Sequence, residues 1–227
     1  MNISISVNPA VVDGKLREYV AWLNTLELSN TSVHVDVMRT SFVDNNAMTR
    51  DEFLYLMQNC RMPMSVHLMM GLKEVDEFIE LAKQGRERVT SISIHIESST
   101  QHVSVRNKMD KIRQAGFGVG LALNAMSRMT VQRKELFALA DVITIMTVPA
   151  GASGQIPRMS LIGQRKAELG EGIKTLIVDG GVNSENIQII KNAKIDVAVV
   201  GSHIYKIYLQ GAQNRARLVG RIQGGSI

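Results

Sequence analysis

The chain has a single cysteine, Cys60, in 227 residues. A lone thiol excludes both a disulfide framework and a cysteine metal knuckle, and it reads as a small buried hydrophobe. Aromatic residues make up 4% of the sequence, too few for a surface that stacks nucleic-acid bases. No apolar run reaches the ~18 residues a membrane helix needs, so no membrane partner is expected. The opening residues, Met1-Asn-Ile-Ser-Ile-Ser-Val7, lack a charged leader followed by an apolar core, and a cytoplasmic protein is the expectation. No Gly-x-Gly-x-x-Gly follows the first apolar run, which counts against a dinucleotide-binding open sheet. Proline-rich, glycine-serine and low-complexity linkers are missing as well, so residues 1–227 are expected to form one domain.

What is there is a 45% hydrophobic content, enough to bury one substantial core. The formal charge is +5, but the cations are scattered. Arg86 and Arg88 alternate with acids, and only the tail from Lys206 to Arg221 is locally basic. Solvated helix faces account for such a pattern, and an anionic small substrate fits it equally. Nucleic acid is not expected as a partner.

Short β-rich runs alternate with amphipathic stretches from end to end. The candidate strands are Ile3–Val7, Ser32–Met38, Pro63–Met69, Val89–Ile96, Gly118–Leu123, Val142–Thr147, Lys174–Asp179 (with Ile173 at its entry) and Val197–Val200. Between them lie candidate helices at Leu16–Leu26, Arg50–Gln58, Val75–Gln84, Val105–Ala115, Gln132–Leu139, Ser160–Leu169, Ser184–Asn192 and Ile204–Val219. Eight such units share 227 residues at about 28 each, the size of a strand-helix repeat. An open doubly wound sheet is conceivable, but eight repeats favour closure into an α/β (β/α)8 TIM barrel.

In a closed barrel every second strand residue points inward. Alternation in Ser32-Val-His34-Val-Asp36-Val-Met38 places His34 and Asp36 on one face and valines on the other. Burying an imidazole beside a carboxylate costs free energy unless the two are paired or bind a metal. The third strand brings His67 and the seventh brings Asp179 at its carboxyl end. Two histidines and two carboxylates from three strands can converge on one divalent cation. His95 and Glu97 on the fourth strand repeat the spacing, either as orienters of that site or as a separate interior polar pair. His102 and His203 have no comparable context and read as surface or helix-start residues. Ser6, at the end of the first strand, reads as a turn or cap residue or as a ligand contact.

Glycines mark the other half of a site. Gly180 and Gly181 follow the seventh strand, Gly201 and Ser202 follow the eighth, and Asn183 or Ser184 suits the cap of the next helix. Free backbone N–H groups and a helix start at those two places form the geometry that receives phosphate. The run Gly151-Ala-Ser-Gly154-Gln155 is glycine-rich and long, as a mobile lid or an exposed connection would be. The chain has 13 methionines. Met38, Met69 and Met146 stand at strand ends beside polar candidates, as core filling or as walls of a substrate site.

These segments together resemble the ribulose-phosphate 3-epimerase family, including its ketohexose-phosphate relatives such as allulose-6-phosphate 3-epimerases. The matching pieces are His34-Val-Asp-Val-Met38, Val66-His-Leu-Met69, His95-Ile-Glu97, Gly120-Leu-Ala-Leu-Asn124, Met146-Thr-Val148 with Gly154-Gln155, Val178-Asp-Gly-Gly-Val-Asn183 and Val200-Gly-Ser202. The resemblance implies a ribulose-phosphate-binding type of (β/α)8 barrel. It implies that one divalent ion (zinc, iron, manganese or cobalt) is held by His34, Asp36, His67 and Asp179, and that Asp36 and Asp179 are the acid/base pair. It further implies that Ser6 lies at the substrate, that the Gly151–Gly154 loop helps Gly180, Gly181, Gly201 and Ser202 hold a phosphate, and that the chain forms a symmetric homo-oligomer.

The activity so implied is 3-epimerisation of a phosphorylated ketose in pentose phosphate or related carbohydrate metabolism. Such a reaction removes a proton on one face of a carbon beside a ketone and returns one on the other, through a cis-enediolate. Two departures bear on the substrate. Met38 is followed by Arg39-Thr-Ser-Phe42-Val-Asp-Asn45 where the family usually has Met-Asp-Gly and then Phe-Val-Pro-Asn, and Pro149-Ala-Gly-Ala152 replaces an Asn-Pro-Gly-Phe or Asp-Pro-Gly-Phe turn. Arg39 reads either as a charge near the site or as surface. Two other classes compete with an epimerase. A phosphate-barrel lyase or decarboxylase would centre on lysine, yet no lysine follows Asp36 at short strand spacing. A non-catalytic sugar-phosphate-binding protein would keep the barrel and the anion site alone.

Overall fold

The computed structural model of the chain describes all residues except 27, 153, 171, 173, 212–217, 220 and 223–226. Eight parallel strands close into a barrel in chain order. They are β1 (Asn2–Ser6), β2 (Thr31–Met38), β3 (Met64–Met69), β4 (Val89–His95), β5 (Gly118–Leu123), β6 (Val142–Met146), β7 (Thr175–Asp179) and β8 (Val197–Val200). The described helices are α1 (Asn8–Val12), α2 (Leu16–Leu23), α3 (Arg50–Asn59), α4 (Leu72–Ala82), α5 (His102–Gln114), α6 (Val131–Phe137), α7 (Ser160–Leu169), α8 (Ile187–Asn192) and α9 (Ser202–Leu209). This is the (β/α)8 barrel expected from the repeat. The strands match the sequence reading to within a residue at each end, and Ile173 lies outside the described residues.

The core lies between barrel and helices because alternation turns the β-branched positions outward. Val33, Val35 and Val37 of β2, Ile92 and Ile94 of β4, and Val119 and Leu121 of β5 join Phe53, Phe78, Ile112 and Tyr19 from the helices in one buried cluster. The inward positions carry smaller and more polar groups, among them Ser4, Ser65, Ser93 and Thr144, all buried. Gly120 explains how β5 fits this interior. A Cβ there would lie 2.0 Å from Ser93 Oγ and 2.8 Å from Ser93 Cα, so only glycine lets β4 and β5 approach as they do.

Register differs around the ring. β2 and β3 align continuously from Val33–Met64 to Met38–Met69, whereas β7 and β8 align at Ile177–Val197 and Val178–Ala198. Helix starts follow local chemistry where a cap exists. Thr49 caps α3 in a full capping box, accepting the Glu52 N–H at 3.2 Å while Glu52 Oε2 accepts the Thr49 N–H at 2.7 Å.

Several elements differ from the sequence reading. α1 leaves no mark in the sequence, since its five residues are too few to display a helical period. α8 starts at Ile187 rather than Ser184, because Asn183 first builds a turn in which its Oδ1 accepts the N–H groups of Glu185 and Asn186 at 2.9 and 3.3 Å. α9 starts two residues before Ile204 and ends at Leu209, and most of the basic tail beyond it lies outside the described residues. Arg39 is structural. Its guanidinium donates to the carbonyls of Met38, Ala47 and Met48 at 2.7, 3.1 and 3.1 Å and sits 5.0 Å over the Phe78 ring.

Candidate metal centre and substrate cavity

Inward alternation on β2 and β3 and the carboxyl end of β7 bring His34, Asp36, His67 and Asp179 together. One donor atom from each lies within 4.8 Å of all the others. His34 Nε2 is 3.3 Å from Asp36 Oδ1 and 3.8 Å from Asp179 Oδ2. His67 Nδ1 is 3.3 and 3.6 Å from the same two oxygens. The four residues that the sequence singled out therefore do meet at one place.

Whether they suit an ion follows from the spacing and from what the atoms lack. Donors about 2.0–2.1 Å from a tetrahedral ion stand about 3.3–3.4 Å apart, longer than a good hydrogen bond. The shortest separations here have that length. His34 Nε2, Asp36 Oδ1 and His67 Nδ1 are also buried with no hydrogen-bond partner among the described residues, a cost that a shared cation removes. The remaining atoms are held from behind. His34 Nδ1 lies 2.9 Å from Ser65 Oγ, and Asp36 Oδ2 accepts the Ser6 hydroxyl at 3.0 Å. The set fits a divalent ion.

Burial and mutual charge shape the titration of these groups. Burial disfavours a charged Asp36, but the His34 and His67 rings beside it outweigh that and hold its carboxyl far below the usual carboxylate range. Burial likewise opposes a charged His67, yet Asp179 and Asp36 prevail and push it to about 9. His95 lacks such a surplus of carboxylates. Burial lowers its pKa despite the Glu97 carboxylate at 3.2 Å. Glu97 is held low in spite of burial by His95, Ser127 and the Asn124 N–H.

A cavity of about 400 Å³ opens above the cluster at the carboxyl ends of the strands. Asp36 and Asp179 form part of its wall, while His34 and His67 lie beneath, fully buried. Ser6, Met38, Met69 and Met146 line it, as do Gly151, Gly154, Gly180, Gly181, Gly201 and Ser202. The glycines have physical reasons to be there. Gly180 has φ +114° and a Cβ would lie 2.6 Å from Val148, and Gly181 has φ +61° with Pro157 at 2.9 Å. The Thr147 hydroxyl fixes this turn by donating to the carbonyl oxygens of Asp179 and Gly180 at 3.1 and 2.5 Å. Over the opening, Asn45 Nδ2 donates to the Gly151 carbonyl at 3.1 Å, joining the loops after β2 and β6. Ser153 lies outside the described residues.

Sequence reasoning missed part of this wall. Asn8, Val148, Pro157, His203 and Lys206 also line the cavity. Asn8 Oδ1 and His203 Nε2 are buried without a hydrogen-bond partner among the described residues. His203, read from sequence as a surface or helix-start group, is the second residue of α9 and faces the site. No periodic signal marks these residues. Asn8, His203 and Lys206 enter because α1 and α9 begin at the barrel mouth, and Val148 and Pro157 because the loop after β6 passes there.

Fold and donor set define a closed (β/α)8 barrel with a candidate metal centre under a glycine-rimmed cavity. The chain belongs to the ribulose-phosphate 3-epimerase family, whose sequence description, Ribulose-phosphate 3 epimerase family, matches residues 3–205. The ribulose-phosphate 3-epimerase of Helicobacter pylori is 31% identical over 193 residues, covering 80% of this chain and 85% of the relative. That of Rhodobacter capsulatus is 26% identical over 206 residues, covering 89% and 87%. Among solved structures, a mutant tryptophan synthase alpha-subunit from Pyrococcus furiosus superposes with a TM-score of 0.64 over 98% of this chain and 95% of its own, at 12% identity. That likeness concerns the fold alone. No helix among the described residues is long and apolar enough to cross a membrane.

Proposed function

We propose that the protein is an isomerase, a metal-dependent 3-epimerase acting on ribulose 5-phosphate and xylulose 5-phosphate or on a related ketohexose 6-phosphate. The observation that carries this reading is the placing of two carboxylates, Asp36 and Asp179, in the wall of one cavity whose far rim is glycine, within a chain of this family. His34, Asp36, His67 and Asp179 would hold zinc, iron, manganese or cobalt. The ion supplies positive charge that lowers the cost of negative charge on a substrate's carbonyl and hydroxyl oxygens.

The remaining work belongs to the chain. One aspartate takes the proton from C3 of the ketose and the other delivers a proton to the opposite face, and the two exchange roles when the reaction runs backwards. Ser6 holds Asp36 by its Oδ2 atom, leaving Oδ1 to face the cluster. The backbone N–H groups around Gly180, Gly181, Gly201 and Ser202, with the Gly151–Gly154 loop, take the phosphate, and this anchors a flexible sugar with C3 between the acids. Met38, Met69 and Met146 keep that region dry.

The test is to incubate metal-loaded protein in heavy water with a panel of ketopentose and ketohexose phosphates. Deuterium at C3 of one compound identifies reaction and substrate together, and Asp179→Asn should lower the exchange by roughly 10²–10⁴-fold. Exchange undiminished in Asp179→Asn overturns the acid/base assignment. Phosphate-ester binding without exchange would make this a non-catalytic binding protein.

A further inference from the structure

Only one nitrogen of His67 faces the donor cluster, and what stands behind the other supports an inference that rests on the metal reading above. His67 Nε2 lies 3.0 Å from His95 Nε2, with the two rings stacked at 4.9 Å and 21°. His95 Nδ1 lies 3.2 Å from Glu97 Oε2, and Glu97 Oε1 accepts the Asn124 backbone N–H at 3.0 Å. Both rings are fully buried. Phe42, from the loop after β2, covers His95 with its ring 4.7 Å away.

Hydrogen positions along this chain follow from its end. A carboxylate only accepts, so His95 must carry its hydrogen on Nδ1 and donate it to Glu97. When an ion takes the lone pair of His67 Nδ1, that ring keeps its hydrogen on Nε2, so in the 3.0 Å contact between the rings the bare nitrogen is His95 Nε2. A bare nitrogen can only accept, so His67 donates its Nε2–H to it. With an ion in place, His67 Nδ1 is thereby the nitrogen that offers its lone pair, and Nδ1 is the atom that faces Asp36 and Asp179. We propose that His95 and Glu97 are positioning residues that fix which nitrogen of His67 is offered to the ion, with the Glu97 carboxylate setting the direction of the whole relay. Glu97 lies outside the substrate cavity and borders a separate opening beside Arg133 and His102. A change at Glu97 therefore reaches the ion through His95 and leaves the substrate wall intact.

The deciding variant is Glu97→Gln. Glutamine has one acceptor oxygen for two N–H groups, those of Asn124 and His95. Keeping the Asn124 bond turns its amide NH₂ towards His95, reverses the relay and puts a hydrogen on His67 Nδ1. Zinc binding by the full chain, measured by competition with a chromophoric chelator, should weaken roughly 10- to 100-fold. The circular dichroism of the metal-free protein should stay unchanged, and turnover should lose kcat with KM held. Histidine ¹⁵N spectra of the zinc-loaded wild type should show His95 with its hydrogen on Nδ1, a readout that stands even where the variant does not fold. Hydrogen on His95 Nε2 in the wild type, or equal zinc affinity in Glu97→Gln, overturns the relay and leaves the metal centre standing. A wild type that takes up no zinc overturns the metal reading and the relay with it.

Discussion

His67 has an ordinary imidazole's pKa near 6.5 when unfolded and one of about 9 in the folded, metal-free chain. A raised value of this kind stabilises the fold below about 6.5 and loses that contribution as pH climbs through about 9. An ion must displace the same proton. Zinc uptake at pH 7.5 should therefore release about one proton, and affinity should rise about tenfold per pH unit up to about 9. Zinc calorimetry in buffers of different ionisation enthalpy measures both. Affinity flat between pH 7 and 8.5 would contradict a charged His67. The cluster itself could be read beforehand because strand alternation alone says which of His34 and Val35 faces inward. Asn8 and His203 could not, since their direction depends on how α1 and α9 leave the closed barrel.

Individual elements carry separable consequences. Thr49→Ala removes the reciprocal cap of α3, which should cost about 0.5–2 kcal/mol in urea unfolding and leave zinc affinity unchanged. Gly120→Ala acts elsewhere. Its new methyl would have to displace Ser93, and overpacking of that sort costs about 1–3 kcal/mol, read as a lower midpoint for the same transition. Strands were more legible than helices. Runs such as Gly118–Leu123 and Val197–Val200 are short, apolar and bounded by turn residues, so both ends show. α4 begins at Leu72, three residues before the period of Val75 becomes evident, because the first turn of a helix presents little buried surface. α8 begins later than its sequence suggests, since Asn183 suits a turn as well as a cap.

For the whole molecule, metal is expected to act as part of the fold. Zinc at a hundredfold excess over its dissociation constant adds about 2.7 kcal/mol to the folded state, roughly 5–11 °C in Tm for a chain of this size. Scanning calorimetry with and without a chelator measures the shift, and His34→Ala should abolish it. A shift that persists in His34→Ala would place the ion elsewhere. Closure of the barrel was legible from eight repeats without a linker. The short meeting of β7 with β8 was not, because register depends on tilt and stagger around the ring rather than on any local pattern.

That short meeting has a consequence for the way the molecule takes hold of its ligand. Gly180 and Gly201 hang from the two edges of the briefest join in the ring, while His34 and His67 rest on the longest. A phosphate received between those glycines, as proposed above, would draw the two edges together and work as a stitch across the seam. Backbone amides along β7 and β8 should exchange with heavy water more slowly once it is in place.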